Sequence, residues 1–249
     1  MAADPKGTLK IVADMGYKYV EAAGYADGKF YGMTPQVFKA YLEEVGLVPM
    51  SSHNSRITLD NADQTIAAVK AAGFKYLVIP VPPMGHFKFD RRTRTISMSD
   101  DVEEVAKILN KIGKKCTKAG LEMLYHNHNF EFEKNGRGII PMDYFIENTN
   151  PKHVKFQMDL YWATFAGVDP IAYFNKAPGR FKSWHVKDMN FQKQFAPVGN
   201  GMIDFGKILE HKALSGMEYY FVEQDRTFGQ SPIEVIRISH DALKGIGFK

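Results

Sequence analysis

Apolar positions fall in short runs, each closed by polar residues and followed by an amphipathic stretch. The strand-like runs are YKYVEAA (17–23), LVPMSSH (47–53), YLVIPVPP (76–83), LEMLYHNH (121–128), VKFQMDLYW (154–162), FKSWHVKDM (181–189) and YYFVEQD (219–225). Most hold too few polar residues for a strand with one face in water, and buried parallel strands read this way. Helical spacing covers 5–15, 34–46, 62–73, 97–120, 169–177, 205–214 and 231–247. The segment 34–46 opens on an N-cap, Thr34, with Pro35 at the first helical position, and stops at Gly46. The segment 97–120 carries acids first and lysines last, as the helix dipole favours. In MGYKYV, AGFKYL and AGLEML a helix halts at glycine and a strand begins within a few residues. Strands alternating with helices predict an α/β fold with a parallel sheet.

A closed (β/α)8 TIM barrel has eight strands. Seven runs are present, and the helix at 5–15 has no strand before it. The expected fold is therefore a TIM barrel that lacks its first β-strand. Residues 1–4 hold a poor strand, the chain is truncated, or a partner fills the gap, because open sheet edges invite pairing. The pattern shows no linker, low-complexity tract or break, so residues 1–249 read as a single domain.

Composition narrows the function classes. The chain has 249 residues, 45% hydrophobic and 24% charged, enough for a large core. The net charge of +4 is interspersed, whereas a nucleic-acid binder shows a clustered stripe. The dense basic run, Arg91, Arg92 and Arg94, is expected in a solvated loop. A lone cysteine, Cys116, excludes intrachain disulfides and cysteine metal clusters, and its helical setting predicts a structural thiol. No apolar run reaches the roughly 18 residues of a membrane span. The start, MAADPKGTLK, has no apolar signal region. A cytoplasmic location is expected, and a processed exported form would look the same.

In a barrel, reactive groups gather at the C-terminal ends of strands. The runs end in Glu21; His53 with Asn54 and Arg56; Pro80, Pro82 and Pro83; His126, Asn127 and His128, with Glu131 beyond; Asp159 with Tyr161 and Trp162; His185, Lys187 and Asp188; and Glu223, Asp225 and Arg226. A single buried polar group is usually a satisfied structural one. So many at one end of consecutive strands point to a site, since a buried carboxylate is costly unless paired or bound to a metal. Carboxylates with imidazoles suit a divalent cation such as Mn, Co, Zn or Mg. Asp159, His185 and Glu223 close different strands and can face one centre. Leu124, His126 and His128 share a strand face, so His126 or His128 can join them. Glu131 needs a loop bend to do so. His86, His153, His211 and His240 fall in loops or helices and are expected outside the site.

GYKYVEAAGY, GLVPMSSH, YHNHNFEF, MDLYW, WHVKD, PVGNGMIDF and YYFVEQD, in that order, resemble the sugar phosphate isomerase/epimerase family of xylose isomerase-like TIM barrels. The resemblance spans about residues 8 to 245, and members usually start with one more strand. It implies a divalent metal held by Glu, Asp, His and Glu from four strands. Asp159, His185 and Glu223 match the last three. Where many members carry glutamate before Asn-His, this chain has His126, the first choice for the fourth ligand, with Glu131 and His128 as rivals. Where many have a histidine three residues after the aspartate, Trp162 stands here. These departures look more like the branch resembling inosose dehydratases and enzymes acting on keto-sugars or keto-glycosides.

The resemblance implies proton abstraction next to a carbonyl through a metal-stabilised enediolate, giving isomerisation, epimerisation or, with a β-leaving group, elimination. Glu223 would be ligand and base. His53 or His128 would be the second acid/base. Lys187, Asp188 and Arg226 would position substrate hydroxyls, with Glu21 as a further site candidate. Trp162, Phe195 and Phe228 would stack on a sugar face or simply pack. The glycines of PVGNG (197–201) would let a loop approach the pocket. Expected partners are a small-molecule carbohydrate, with homo-oligomer formation left open and neither nucleic acid nor membrane. Two competitors stand beside this: a metal-dependent hydrolase of the AP endonuclease type, and a non-catalytic sugar-binding or assembly subunit.

Overall fold

Asp4 starts the first helix by accepting a hydrogen bond from the Gly7 amide at 2.9 Å, with Pro5 at the first helical position. The computed structural model describes residues 4–83, 85–92 and 95–248. Seven parallel strands follow in chain order: β1 (Tyr19–Ala22), β2 (Val48–His53), β3 (Tyr76–Ile79), β4 (Glu122–His126), β5 (Val154–Asp159), β6 (Phe181–Val186) and β7 (Tyr219–Val222). Each coincides with a run expected from the apolar pattern. Among the described residues the first strand follows helix α1 (Pro5–Asp14). Residues 1–3, one place considered for a further strand, lie outside them.

The chain divides into two compact units, Met1–His126 with Asn135–Lys155, and Asn127–Lys134 with Phe156–Lys249. In the first, β1 to β4 pair in parallel in sequence order, with helices α1, α2 (Pro35–Glu44), α3 (Ala62–Ala71), α4 (Val102–Ala119) and α5 (Pro141–Asn148). Val105, Leu109, Ile112 and Cys116 recur at helical spacing on α4 and are buried. Gly120, at φ 82°, ends α4, and the Leu121 amide donates to the Cys116 carbonyl at 2.9 Å. Phe30 holds a ring cluster, 5.3 Å from Phe38 and 5.2 Å from Phe74.

In the second unit β6 pairs with β5 on one side and β7 on the other. Helices α6 (Leu160–Phe165), α7 (Pro170–Lys176), α8 (Phe205–Leu209), α9 (Lys212–Ser215) and α10 (Pro232–Ile246) complete it. Trp184 stacks on Phe174 at 5.3 Å, and Phe156 meets Phe181 at 5.4 Å.

Four local features depart from the apolar pattern. The run 154–162 is not all strand: it stops at Asp159, whose carboxylate caps α6. Helix α5, opened by Pro141, stands where no helix was expected. The span 205–214 breaks at Glu210–His211 into α8 and α9. The loop carrying the arginines is an antiparallel hairpin, Phe87–Asp90 with Thr95–Met98, with Arg91 and Arg92 exposed at its turn. Arg94 lies outside the described residues. Cys116 is buried, and burial pushes its thiol up to about 12. Among the described residues no helix is long and apolar enough to cross a membrane.

Candidate active site

Strand register in the second unit brings the chemistry together. Asp159, the last residue of β5, lies opposite His185 on β6. Side-chain alternation then carries His185 and Lys187 to the same side. Glu223 follows the end of β7, and its amide donates to the Val186 carbonyl at 3.3 Å.

Asp159 is fully buried and does two jobs. One carboxylate oxygen, Oδ1, accepts from the Trp162 amide at 2.9 Å and caps α6. The other, Oδ2, lies 3.1 Å from Lys187 Nζ and 3.8 Å from His185 Nδ1. The backbone of Asp159 is pinned by Asn127, whose side-chain amide accepts from the Asp159 N–H at 3.0 Å and donates to its carbonyl at 3.3 Å. Glu223 Oε2 meets His185 Nδ1 at 3.0 Å and Lys187 Nζ at 2.6 Å. Asp225 Oδ2 also reaches Lys187, at 2.7 Å. His185 and Lys187 are buried, while Glu223 is 34% and Asp225 40% exposed, so the cluster opens on their side.

Burial pushes the Asp159 carboxyl above the ordinary carboxylate range, with Glu223 adding to the rise and Lys187 and His185 opposing it. Burial works against the Lys187 charge, but Asp159, Glu223 and Asp225 outweigh it and raise its pKa, so Lys187 stays an ammonium. Three carboxyl groups thus face the Lys187 ammonium. Asp159, His185 and Glu223 each offer a ligand atom, all within 4.8 Å of one another. Oxygen and imidazole donors in that spacing fit a divalent metal.

An aromatic wall flanks the cluster. Lys187 Nζ lies 5.7, 5.5 and 5.4 Å from the ring centres of Tyr161, Trp162 and Phe195. Trp162 stands 5.6 Å from the His128 ring, which stacks on Phe130. Burial pushes the Tyr161 hydroxyl up to about 12, and it donates to the Lys193 carbonyl at 2.8 Å. Glu131 is buried in a turn, where its carboxylate accepts from the His128 amide at 2.7 Å. Phe228, one of the suggested sugar-stacking aromatics, is 58% exposed.

Asp188, expected on substrate, has other partners. It is buried, and its carboxylate accepts from the amides of Gly199 and Gly201 at 3.0 Å, Ile203 at 3.2 Å and Met189 at 2.8 Å. It therefore clamps the PVGNG loop. Gly201 is needed there, since an added Cβ would lie 2.2 Å from the Asp188 carboxylate. Asp188→Ala leaves four loop amides, one of them buried, without their acceptor and is expected to cost about 2 kcal/mol. The checks are a denaturant melt and limited proteolysis, which should newly cut within 197–203. Arg226 is exposed beyond β7, and its carbonyl accepts from Gln224.

In the first unit, a register shift in β1 between Val20 and Glu21 sets Glu21 opposite Ser51. Glu21 Oε1 lies 2.9 Å from His53 Nε2, and Ser51 donates to Oε2 at 2.5 Å. The His53 and His126 rings meet edge to face at 5.2 Å, and His126 is buried. His86, His153, His211 and His240 bind Asp101, Thr117, the Lys207 carbonyl and Asp241 respectively.

Two contributors had no role assigned from sequence. Asp225 stood at the end of its run, and the two-residue step from Glu223 was the available signal. Asn127 left no signal, because its task is to hold a backbone in another strand.

Comparison with known proteins agrees with the fold. A family model described as "Xylose isomerase-like TIM barrel" matches residues 9–243. An inosose dehydratase from Lacticaseibacillus casei is 26% identical, covering 84% of this chain and 79% of its own length. A sugar phosphate isomerase/epimerase from Parabacteroides distasonis superposes with a TM-score of 0.83 at 27% identity, covering 99% of this chain and 90% of that one. The IolI protein with a bound zinc atom superposes with a TM-score of 0.73 at 14% identity, over 98% and 92% of the chains, a likeness of fold.

Proposed function

The chain belongs to the xylose isomerase-like TIM barrel family, and on that premise we propose a divalent-metal-dependent isomerase or epimerase that moves a proton next to the carbonyl of a sugar, keto-sugar or polyol. The observation that carries this is the meeting of Asp159, His185 and Glu223 at strand ends, with Glu223 on the open side. These three would hold the cation, and the sequence resemblance makes His126 the first choice for a fourth donor. A bound divalent cation supplies Lewis-acid polarisation of the carbonyl and neutralises charge developing on oxygen.

The chain's own residues carry the proton. Glu223 takes it from the carbon next to the carbonyl, and the electron pair moves onto the carbonyl oxygen to leave an enediolate. His53, oriented by Glu21, is the second proton carrier, with His128 as the rival. Trp162 offers a face to the sugar ring, and Arg226 offers a cation to its hydroxyls. Asp188 acts on substrate only through the loop it clamps, and Glu131 holds the turn after His128.

A second reading, a dehydratase, is favoured by the likeness to inosose dehydratase. There the same proton abstraction is followed by loss of a β-hydroxyl as water. Stripping with a chelator and re-adding Mn, Co, Zn or Mg tests the metal. One ion per chain is expected, with His126→Ala lowering metal content well below His153→Ala. No stoichiometric binding of any of the four would overturn both readings and favour a non-catalytic subunit.

A further inference from the structure

Lys187 is a buried lysine whose partners are the oxygens that would hold the metal. A buried ammonium is costly unless paired. Its pairing uses Asp159 Oδ2 at 3.1 Å and Glu223 Oε2 at 2.6 Å. The other Asp159 oxygen, Oδ1, already accepts from the Trp162 amide. Glu223 Oε2 is the same atom that meets His185. A cation held by Asp159, His185 and Glu223 therefore competes with the ammonium for the same acceptors, and the two positive charges repel across them. The third partner differs. Asp225 Oδ2, 2.7 Å from Nζ, is 40% exposed and stands outside that donor set. The rings of Tyr161, Trp162 and Phe195 close the other flank of the ammonium.

We propose that Lys187 is an internal counter-ion that an incoming divalent cation displaces from Asp159 and Glu223, and that Asp225 keeps the displaced ammonium paired. The pair sets the affinity of the site. Lys187 weakens metal binding by competition, and Asp225 restores part of it by drawing the ammonium away. The ammonium so released stays beside the open side of the cluster, where Glu223 acts. The inference rests on the metal reading above.

The test is calorimetric titration of Mn2+ into the chelator-treated full chain, which reads affinity without any turnover. Lys187→Met is expected to bind at least about tenfold more tightly, the factor worth one charge-assisted hydrogen bond. Asp225→Asn is expected to bind about threefold to tenfold more weakly, because the ammonium then leans harder on the metal oxygens. Lys176→Met, which removes the same charge from an exposed helix position, should stay within about twofold of wild type. Unchanged or weaker binding by Lys187→Met overturns the proposal, and so does unchanged or tighter binding by Asp225→Asn. If Lys187→Met fails to fold by circular dichroism, the partly exposed Asp225→Asn decides alone. A wild-type chain that binds no divalent cation overturns the metal reading itself; a wild type that binds with Lys187→Met no tighter overturns this inference only.

Discussion

Glu223→Gln is expected to lower turnover of a keto-sugar substrate by about 10³-fold, the middle of the range for losing a positioned general base. The variant keeps the shape of the side chain and loses its basicity. It also keeps an oxygen for His185 and Lys187, which lie 3.0 and 2.6 Å from Oε2. Because Glu223 is one-third exposed, the fold should survive, and the melting temperature should move by only a few degrees. The loss should fall on kcat far more than on KM, since the missing step is proton transfer. A kcat within about tenfold of wild type, in a variant that still binds metal, would move the base to another residue, with His53 and His128 next in line.

Asp159→Ala should have the largest effect on stability. The substitution removes the cap of α6, worth about 1 kcal/mol, and takes one of three carboxylates from a buried ammonium, a loss of about 2 kcal/mol more. The sum is about 3 kcal/mol, or a fall of roughly 6 to 12 °C in Tm for a chain of this size. Metal content should fall to background in the same variant, because a ligand is gone. His153→Ala, on the surface beside Thr117, should change neither quantity. A thermal melt and metal analysis on both variants check this. An Asp159→Ala protein that melts like wild type and keeps its metal would contradict both roles given to Asp159.

The strands were legible because most are largely buried and read as mainly apolar runs closed by a polar residue. The pattern located β2, β4, β5, β6 and β7, although the runs at β4, β5 and β6 extend past the strand ends at His126, Asp159 and Val186. Helix α6 was hidden because Leu160, Tyr161 and Trp162 continue the apolar run. The sign of the change was Asp159 itself, a helix N-cap residue, with Gly167 about two turns beyond. Helix α5 carried a signal too, in Pro141 at a first helical position with Asp143 in the first turn. The partners of the charged groups were not legible. Whether Asp188 faces a ligand or its own loop depends on where Gly199, Gly201 and Ile203 turn back, and spacing along the chain does not encode that. The same holds for Lys187, whose three carboxylates come from the ends of β5 and β7.

The most direct test is solvent deuterium exchange followed by proton NMR. A panel of keto-sugars and ketonised polyols is incubated in D2O with chelator-treated protein, with and without Mn, Co, Zn or Mg. The account predicts deuterium entering at the carbon next to the carbonyl of at least one substrate, only when a divalent cation is added, and about 10³-fold more slowly with Glu223→Gln. Metal-loaded protein that exchanges no such proton, or exchange that persists unchanged without metal or with Glu223→Gln, would contradict it.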